Sequence, residues 1–362
     1  MSKVEWKKLG DVANLVRGKV ISKDYIRDNE GDYPVYSSQT ANDGVMGCID
    51  SYMFAGDYLT WTTDGAYAGT VFRRKGKFNI TNVCGLIDIK DDCLNQDFLY
   101  YWLTLTAKSY VLEGMGNPKL MSNVASNIKI PLLPLSRQKE IVRILDTFTS
   151  SIENLKEQIA LRRKQYEYYR DQLLDLEGKE GVERSILKDV CEVVNGRAYS
   201  QPELLSEGKY RVLRVGNFFS NDSWYYSDLD LEEKYYCEKG DLLYAWSASF
   251  GPHIWEGEKT IYHYHIWKMN CSENIDKKFM YYWLQSEDMR KQAFSNLHGA
   301  TMAHLTKALM ESLKVPVPSL NEQQRIVDIL DVFEASIQNL EAQLAGREKQ
   351  YEYYRNKLLT FK

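Results

Sequence analysis

The feature that most limits what this chain can fold into is that much of it occurs twice. The segment QKEIVRILDTFTSSIENLKEQIALRRKQYEYYRDQLLD (Gln138 to Asp175) returns as QQRIVDILDVFEASIQNLEAQLAGREKQYEYYRNKLLT (Gln323 to Thr360), with 23 of 38 paired positions identical and no gap. That agreement identifies a duplicated unit, so the fold is read in halves. The match weakens upstream but persists: Pro131 answers Pro316, Leu120 answers Leu305, and FLYYWL (Phe98 to Leu103) answers FMYYWL (Phe279 to Leu284). Near the two starts Leu9, Asp11, Val12 and Gly18 answer Leu187, Asp189, Val190 and Gly196, and Gly56-Asp57 answers Gly240-Asp241. The offset drifts between these matches, which means loops of unequal length on a shared framework. The order is therefore domain, helix, domain, helix, with expected limits 1–135, 136–180, 181–320 and 321–362.

In the first long segment Ile141, Leu145, Phe148, Ile152, Leu155, Ile159, Arg162, Tyr166, Tyr169 and Leu173 recur at alternating steps of four and three. This spacing is an a/d heptad seam. The second copy reads Ile326, Leu330, Phe333, Ile337, Leu340, Leu344, Arg347, Tyr351, Tyr354 and Leu358. Neither segment contains proline, and Ser136 and Asn321 stand where N-caps belong. At about 1.5 Å per residue, a helix of ~40 residues runs roughly 60 Å. Each apolar stripe needs a partner and the other is tethered within reach, so an antiparallel coiled coil with a pseudo-twofold axis is expected. Arg162 and Arg347 interrupt both stripes at the same place, as a register device or as partners of a nearby glutamate. Tyr168 and Tyr353 point away from the seam and are candidate partner contacts, since exposed aromatics of this kind dominate interface energetics.

The globular halves read as mixed α/β (α+β). Short β-rich runs such as Tyr33 to Ser37, Leu59 to Thr62, Thr70 to Arg73 and Val83 to Ile89 are punctuated by Gly and Asn/Asp turns. A helix carrying FLYYWL follows, its aromatics read as core. No run is apolar enough to span a bilayer and no signal segment opens the chain, so a cytoplasmic protein without membrane attachment is expected. The six cysteines are scattered without a CxxC pair, which argues for buried free thiols over zinc or a disulfide framework.

No phosphate-loop, dinucleotide-binding or HExxH motif is present, nor the [DN]PP[YF] tetrapeptide with which amino-methylating enzymes hold a base. All five histidines lie in the second half (His253, His263, His265, His298, His304) and the first half has no counterpart, so no metal site is expected. The chain is not expected to be an enzyme. Net charge is −4, and residues 1–135 and 181–320 carry 15 basic with 15 acidic and 16 basic with 19 acidic side chains. Such balance excludes a protein that grips DNA alone through a general basic excess. The stretches that differ between halves nonetheless hold side chains suited to bases and phosphates. Arg73, Arg74, Lys119, Arg197, Arg214 and Lys307 are candidate phosphate or guanine contacts. Ser37, Gln39, Thr63, Asn117, Asn217, Trp246 and Ser247 are candidate base-edge readers.

The lead-in P-L-x-x-Q-x-x-I-V-x-I-L-D before each long helix (Pro134 to Asp146, and Ser319 to Asp331 with Ser for the first Pro) resembles that of the specificity (S) subunits of type I restriction–modification enzymes. The opening Trp6 to Val12 and its second form Ile186 to Val190 resemble the start of that family's target-recognition domains, and the likeness covers the whole chain. It implies a non-catalytic reader of double-stranded DNA, one domain per half of an asymmetric bipartite target. It implies docking of two methyltransferase (M) subunits and of restriction (R) subunits, with S-adenosylmethionine, ATP and Mg2+ on those partners and no cofactor here. A reader whose partner fuses methylase and nuclease, or a DNA-free two-domain scaffold, are the competing readings. If the helices are rulers, half-sites lie about 34 Å apart, near one DNA turn. Inserting residues between Ser136 and Gln138, or altering the linker from Gly178 to Gly181, then changes the spacer in the bound motif while both half-sites stay intact.

Overall fold

A computed structural model describes residues 4–114, 116–219, 221–247, 250–294 and 305–361. The chain forms two compact units, Met1–Asn154 with Leu344–Lys362, and Leu155–Gln343.

In the first unit β1 (Glu5–Lys8) pairs antiparallel with β8 (Lys129–Leu132), closing the domain where its chain enters and leaves. Between them a six-stranded sheet runs in the order β2 (Ala13–Arg17), β7 (Cys84–Ile89), β5 (Phe54–Thr62), β6 (Val71–Ile80), β3 (Glu30–Tyr36), β4 (Val45–Ile49). The anticipated strands are all present, and β5 and β6 extend further than their apolar stretches. β5 lies between β6 and β7, yet only three residues join the end of β6 to the start of β7. The sheet must therefore coil strongly, and Tyr36, Phe78, Ile80, Cys84 and Leu86 fill its hollow. Short helices α1 (Leu9–Val12), α2 (Lys23–Asp28) and α4 (Ser122–Ala125) fill corners. Helix α3 (Gln96–Thr106) carries FLYYWL, with Phe98, Leu99, Tyr101, Trp102 and Leu103 buried, so its aromatics are core as expected except Tyr100, which is half-buried.

The second unit repeats this frame with two four-stranded sheets. The edge pair is β9 (Glu183–Ile186) with β18 (Lys314–Val317), and α6 (Leu187–Val190) follows β9. One sheet orders β10 (Cys191–Asn195), β17 (Ile266–Cys271), β14 (Leu242–Ala245), β15 (Gly251–Ile254). The other orders β12 (Tyr225–Ser227), β11 (Tyr210–Leu213), β16 (Thr260–Tyr262), β13 (Tyr236–Cys237). Helices α7 (Lys277–Trp283, carrying the second aromatic motif), α8 (Glu287–Phe294) and α9 (Lys307–Ser312) complete it. All six cysteines are free, but only Cys84, Cys191 and Cys237 are buried and Cys93 is exposed. Cys191 and Cys271 face each other across β10 and β17 with their sulfurs 3.9 Å apart.

The long helices are α5 (Leu135–Leu174) and α10 (Leu320–Leu358). Both begin one residue before the expected N-caps. In α10 the cap is Ser319, whose hydroxyl accepts from the Glu322 amide at 3.3 Å, so the Ser that departs from the lead-in pattern is the capping residue.

The lead-in glutamines explain why that motif recurs. Gln138 is fully buried; its Oε1 accepts from the Asn95 amide at 2.8 Å, and its Nε2 donates to the Cys93 and Leu133 carbonyls, both at 2.7 Å. Gln323 repeats this with the Asp276 amide (2.7 Å) and the Asn274 and Pro318 carbonyls (2.9 and 2.8 Å). Asn95 and Asp276 are themselves the N-caps of α3 and α7. One amide side chain thus ties the first turn of each long helix to the aromatic helix of its own domain. Two turns on, Asp146 accepts from the Tyr101 hydroxyl and Asp331 from the Tyr282 hydroxyl, each at 2.6 Å.

Because of these ties each helix belongs to two cores. Ile141, Val142 and Leu145 sit with Leu9, Phe98, Tyr101 and Ile130 in the first unit, where Leu359 and Phe361 from the end of α10 also pack. Ile326, Val327 and Leu330 sit with Leu187, Phe279 and Tyr282 in the second, joined by Tyr166 and Leu174 from the end of α5. The compact units accordingly end inside the helices, whereas the sequence limits fell at the helix starts.

Within each unit the helix segments run antiparallel. Tyr169 stacks on Phe333 (5.4 Å) and Arg163 pairs with Glu341 (2.5 Å) in the second unit. In the first, Tyr354 stacks on Phe148 at 5.3 Å with Arg347 over the same ring at 5.8 Å. The seam positions Ile152, Leu155 and Ile159 are all under a tenth exposed, whereas Ile337, Leu340 and Leu344 are half-buried.

An insertion between Ser136 and Gln138 would break the glutamine clamp before altering any spacing, so the linker at Gly178–Gly181 is the cleaner place for the ruler test. Truncating the clamp leaves one buried amide and two carbonyls unpaired, at ~1–3 kcal/mol each where water cannot replace the bond. Gln323→Ala is expected to destabilise the second unit by about 2–4 kcal/mol in urea unfolding.

Candidate nucleic-acid interface

The two glycines matched near the chain starts locate the site. A Cβ on Gly18 would lie 2.0 Å from the Ile80 carbonyl oxygen, and one on Gly196 would lie 2.4 Å from that of His263. Only glycine lets the strand end approach the neighbouring loop so closely. The residue after each glycine then bridges the same loop, Lys19 to Thr81 and Arg197 to His263. Both halves thus bring the loop after the first sheet strand against the loops that follow β6 or β16 and β5 or β14. The backbone plan is shared and the side chains differ.

In the first unit these loops are tied tightly. The Thr81 hydroxyl donates to Ser37 (3.1 Å), and Arg17 Nε donates to the Asn82 carbonyl (2.9 Å). The Thr63 amide donates to Val83 (3.1 Å), Leu120 to Thr63 (2.9 Å) and Gly65 to Pro118 (3.0 Å). Asp64 lies between two cations, 3.9 Å from Arg17 and 4.0 Å from Lys119. Ser37, Thr63, Asn117 and Lys119 are therefore brought to one edge, as a binding surface requires. Asn117 and Lys119 are exposed and Ser37 half-buried, but Thr63 is fully buried and its hydroxyl donates to Asp64 at 2.6 Å. Gln39 lies beside this edge, its side chain donating to the Val45 carbonyl.

Two expected contacts do not belong to the edge. Arg74 is 3% exposed, bound to the Thr60 hydroxyl (3.1 Å) and to Asp43 (2.7 Å) with Tyr36 beneath it at 3.6 Å. Its guanidinium braces the inside of the coiled sheet and cannot meet a phosphate. Arg73 braces helices, paired with Asp97 (2.8 Å) and Asp146 (3.2 Å) over the Tyr100 and Tyr101 rings. A basic run on one strand points its successive side chains to opposite faces, and the sequence does not say which face is covered.

The second unit builds the corresponding edge from imidazoles and aromatics. The Arg197 amide donates to Tyr262 (3.1 Å), Tyr264 donates back to Arg197 (3.0 Å), and His263 donates to Leu213 (2.9 Å), the residue before Arg214. Trp246 binds this loop twice, its amide to the His265 carbonyl (3.1 Å) and its indole to the Tyr264 carbonyl (2.8 Å). His263 stacks with Tyr199 on one side and contacts His265 on the other. Burial, then His265 and Arg214, hold the His263 imidazole well below its usual range, at about 4. It is neutral near pH 7 and carries one donor and one acceptor. Arg197 is paired with Glu203 at 2.6 Å, and that bond with those from Ser200 depresses the Glu203 carboxyl to about 2. Arg214 is exposed over Tyr225 at 5.2 Å.

Ser247 is half-buried next to Trp246. Asn217 has its side chain committed to its own turn, accepting from the Arg214 amide (3.0 Å) and donating to the Asn221 and Ser223 carbonyls (2.9 and 3.0 Å). It shapes the loop that presents Arg214. Lys307 pairs with Glu311 on its own helix at 3.4 Å, and among the described residues no hydrogen bond or ion pair ties it to this edge. His298, His304, Ala248 and Ser249 lie outside the described residues. Among those described, no three His, Cys, Asp or Glu side chains converge as a metal would require, and no helix is long and apolar enough to cross a membrane.

Arg17, Lys19, Asn82 and Tyr264 join these edges without having been singled out in sequence. The signal for them was the Gly18/Gly196 match, since a glycine required by close approach marks its neighbours as part of the contact. Tyr168 and Tyr353, at equivalent positions of the long helices, are 61% and 59% exposed.

Comparison with known proteins bears on what such edges meet. Residues 1–162 and 179–346 match the family described as the type I restriction modification DNA specificity domain. A Mycoplasma pneumoniae protein named as a type I specificity subunit is 30% identical over 98% of this chain and 97% of its own length. A Haemophilus influenzae protein named as a type I restriction enzyme specificity subunit is 31% identical over 99% and 96%. Among solved structures, the S subunit of a type I restriction–modification system from M. genitalium shares the fold at a TM-score of 0.64 and 18% identity, over 100% of this chain and 98% of that one.

Replacing Arg214 by Ala is expected to weaken binding to the preferred DNA by ~1–3 kcal/mol and to relax one base position, measured by competition with a duplex library. An unchanged motif preference would remove it from the interface.

Proposed function

The chain belongs to the type I restriction–modification DNA specificity family, and from that premise we propose how it reads its target. It is a non-catalytic sequence-recognition subunit with two tandem specificity domains for a bipartite DNA target. The carrying observation is the pair of edges at Gly18 and Gly196, alike in backbone plan and unlike in side chains. Like backbones place each edge equivalently on its own domain. Unlike side chains between their cations, hydroxyl and amide groups in one and imidazoles and an indole in the other, recognise different base edges, so the two half-sites differ.

Phosphate contacts from Lys19, Lys119, Arg197 and Arg214 orient each domain, while Ser37, Asn117, Trp246, Ser247 and His265 read base edges. Near-neutral domains bind DNA weakly alone, which fits a subunit whose partners close around the duplex. Those partners are two methyltransferase subunits, docked on the repeated helix surfaces around Tyr168 and Tyr353, and restriction subunits beyond them. S-adenosylmethionine, ATP and Mg2+ are used on the partners, and DNA as substrate goes with a cytoplasmic setting. Incubating the chain and its methyltransferase partner with a random duplex pool, then sequencing retained DNA, should enrich one split motif with unequal halves. Retention of no DNA, or of one symmetric motif, would overturn this reading.

A further inference from the structure

The side chains with the greatest apolar exposure in the first domain are gathered on the recognition edge. Val20 is 81% exposed, Leu112 59% and Tyr67 56%, above every other exposed large hydrophobic among the described residues before α5. All three stand on loops of that edge. Val20 follows Lys19, which bridges Thr81, while Leu112 and Lys119 exchange both backbone hydrogen bonds (2.9 and 3.1 Å). Tyr67 occupies the loop joined to this pair by Gly65 and Asp64.

The Tyr67 loop is unusually well braced for one that ends in solvent. Its carbonyl accepts from the Thr62 hydroxyl, from the Thr70 hydroxyl at 2.8 Å and from the Thr70 amide at 3.1 Å. Gly65 and Gly69 bracket it with φ of +91° and +82°, and the Gly69 amide donates to Thr62 at 2.8 Å. Among the described residues no other ring or cation packs on the Tyr67 side chain. A rigid loop holding an aromatic in water loses little ordering entropy when that ring meets a partner. Arg17, Lys19 and Lys119 lie on the same edge, so the complementary surface is polyanionic with apolar groups between its charges, as a DNA groove with its base edges and thymine methyls is.

We propose that Tyr67 is a specificity-determining residue of the first half-site, its ring packing against bases of the duplex while Lys19 and Lys119 hold the flanking phosphates. This rests on the DNA-reading function proposed above. An aromatic ring buried against base edges in a groove contributes enough that truncation weakens binding about tenfold or more. Asp64, between Arg17 and Lys119, aims the two cations and partly offsets their charge. The contact is therefore carried by the ring more than by a net positive field.

The test uses the chain reconstituted with its methyltransferase partner, with wild type, Tyr67→Ala, Tyr67→Phe and Tyr52→Ala compared in the same duplex-selection assay. Tyr52 is exposed in the same domain but packs on Tyr33. Tyr67→Ala should lower affinity about tenfold or more and blur bases in the first half-site only. Tyr67→Phe should retain the motif, and Tyr52→Ala should bind as wild type. The unfolding midpoint of Tyr67→Ala should move little, because more than half of the ring is exposed. The proposal is overturned if Tyr67→Ala keeps the wild-type motif and affinity, or if it loses both half-sites equally. Failure of wild type itself to select a split motif would instead overturn the DNA-reading function.

Discussion

The buried amide clamp at the start of each long helix is the interaction on which the rest of the architecture depends. Gln138 and Gln323 each satisfy one backbone donor and two backbone acceptors that would otherwise be unpaired inside the protein. A charged side chain there would cost desolvation, and a shorter one would not span the three groups. Glutamine combines that reach with two N–H donors and an acceptor on one uncharged terminal group. The clamp fixes where each helix leaves its domain, and the Asp146–Tyr101 and Asp331–Tyr282 bonds fix its next turns. The recurring lead-in motif is thus a joint, and its recurrence in both halves reflects a shared mechanical need.

Rigid joints free the recognition edges to vary. The edge at Gly18 and the edge at Gly196 depend on backbone hydrogen bonds and on one close approach that excludes a side chain. Neither requirement dictates which side chains the loops carry. The first edge holds cations around a buried threonine and an aspartate; the second holds a tryptophan, two histidines and a tyrosine bound to one another. Polar groups on such edges keep their specificity best when the backbone that carries them is already hydrogen-bonded, as at Thr63, His263 and Trp246. Neutral His263 and the indole tied to Tyr264 are examples of groups whose orientation is set before any ligand arrives.

Much of this was legible in the residues alone. The repeat, the heptad seams, the aromatic helix and the α/β character follow from periodicity, which survives whatever the loops do. The gathering of Ser37, Thr63, Asn117 and Lys119 at one edge was legible only as divergence between halves. The exclusion of Arg73 and Arg74 from that edge was not legible at all. Both lie in one strand of a coiled sheet, and whether a cation there faces solvent or an interior aspartate is decided by residues some thirty to seventy positions away.

The amino-acid sequence by itself determined that the chain is a tandem duplication, that each half ends in a long amphipathic helix, and that the halves differ where they would meet a ligand. Those properties are local patterns, set by spacing along one segment. Tertiary structure decided which half of each helix completes which core, that the recurring glutamines and aspartates are structural, and which divergent residues share an edge. It also decided that Lys19 and Tyr264 belong with them and Arg74 does not. These outcomes depend on contacts between segments distant in the chain, and such contacts follow from how the coiled sheet closes, which no local pattern records.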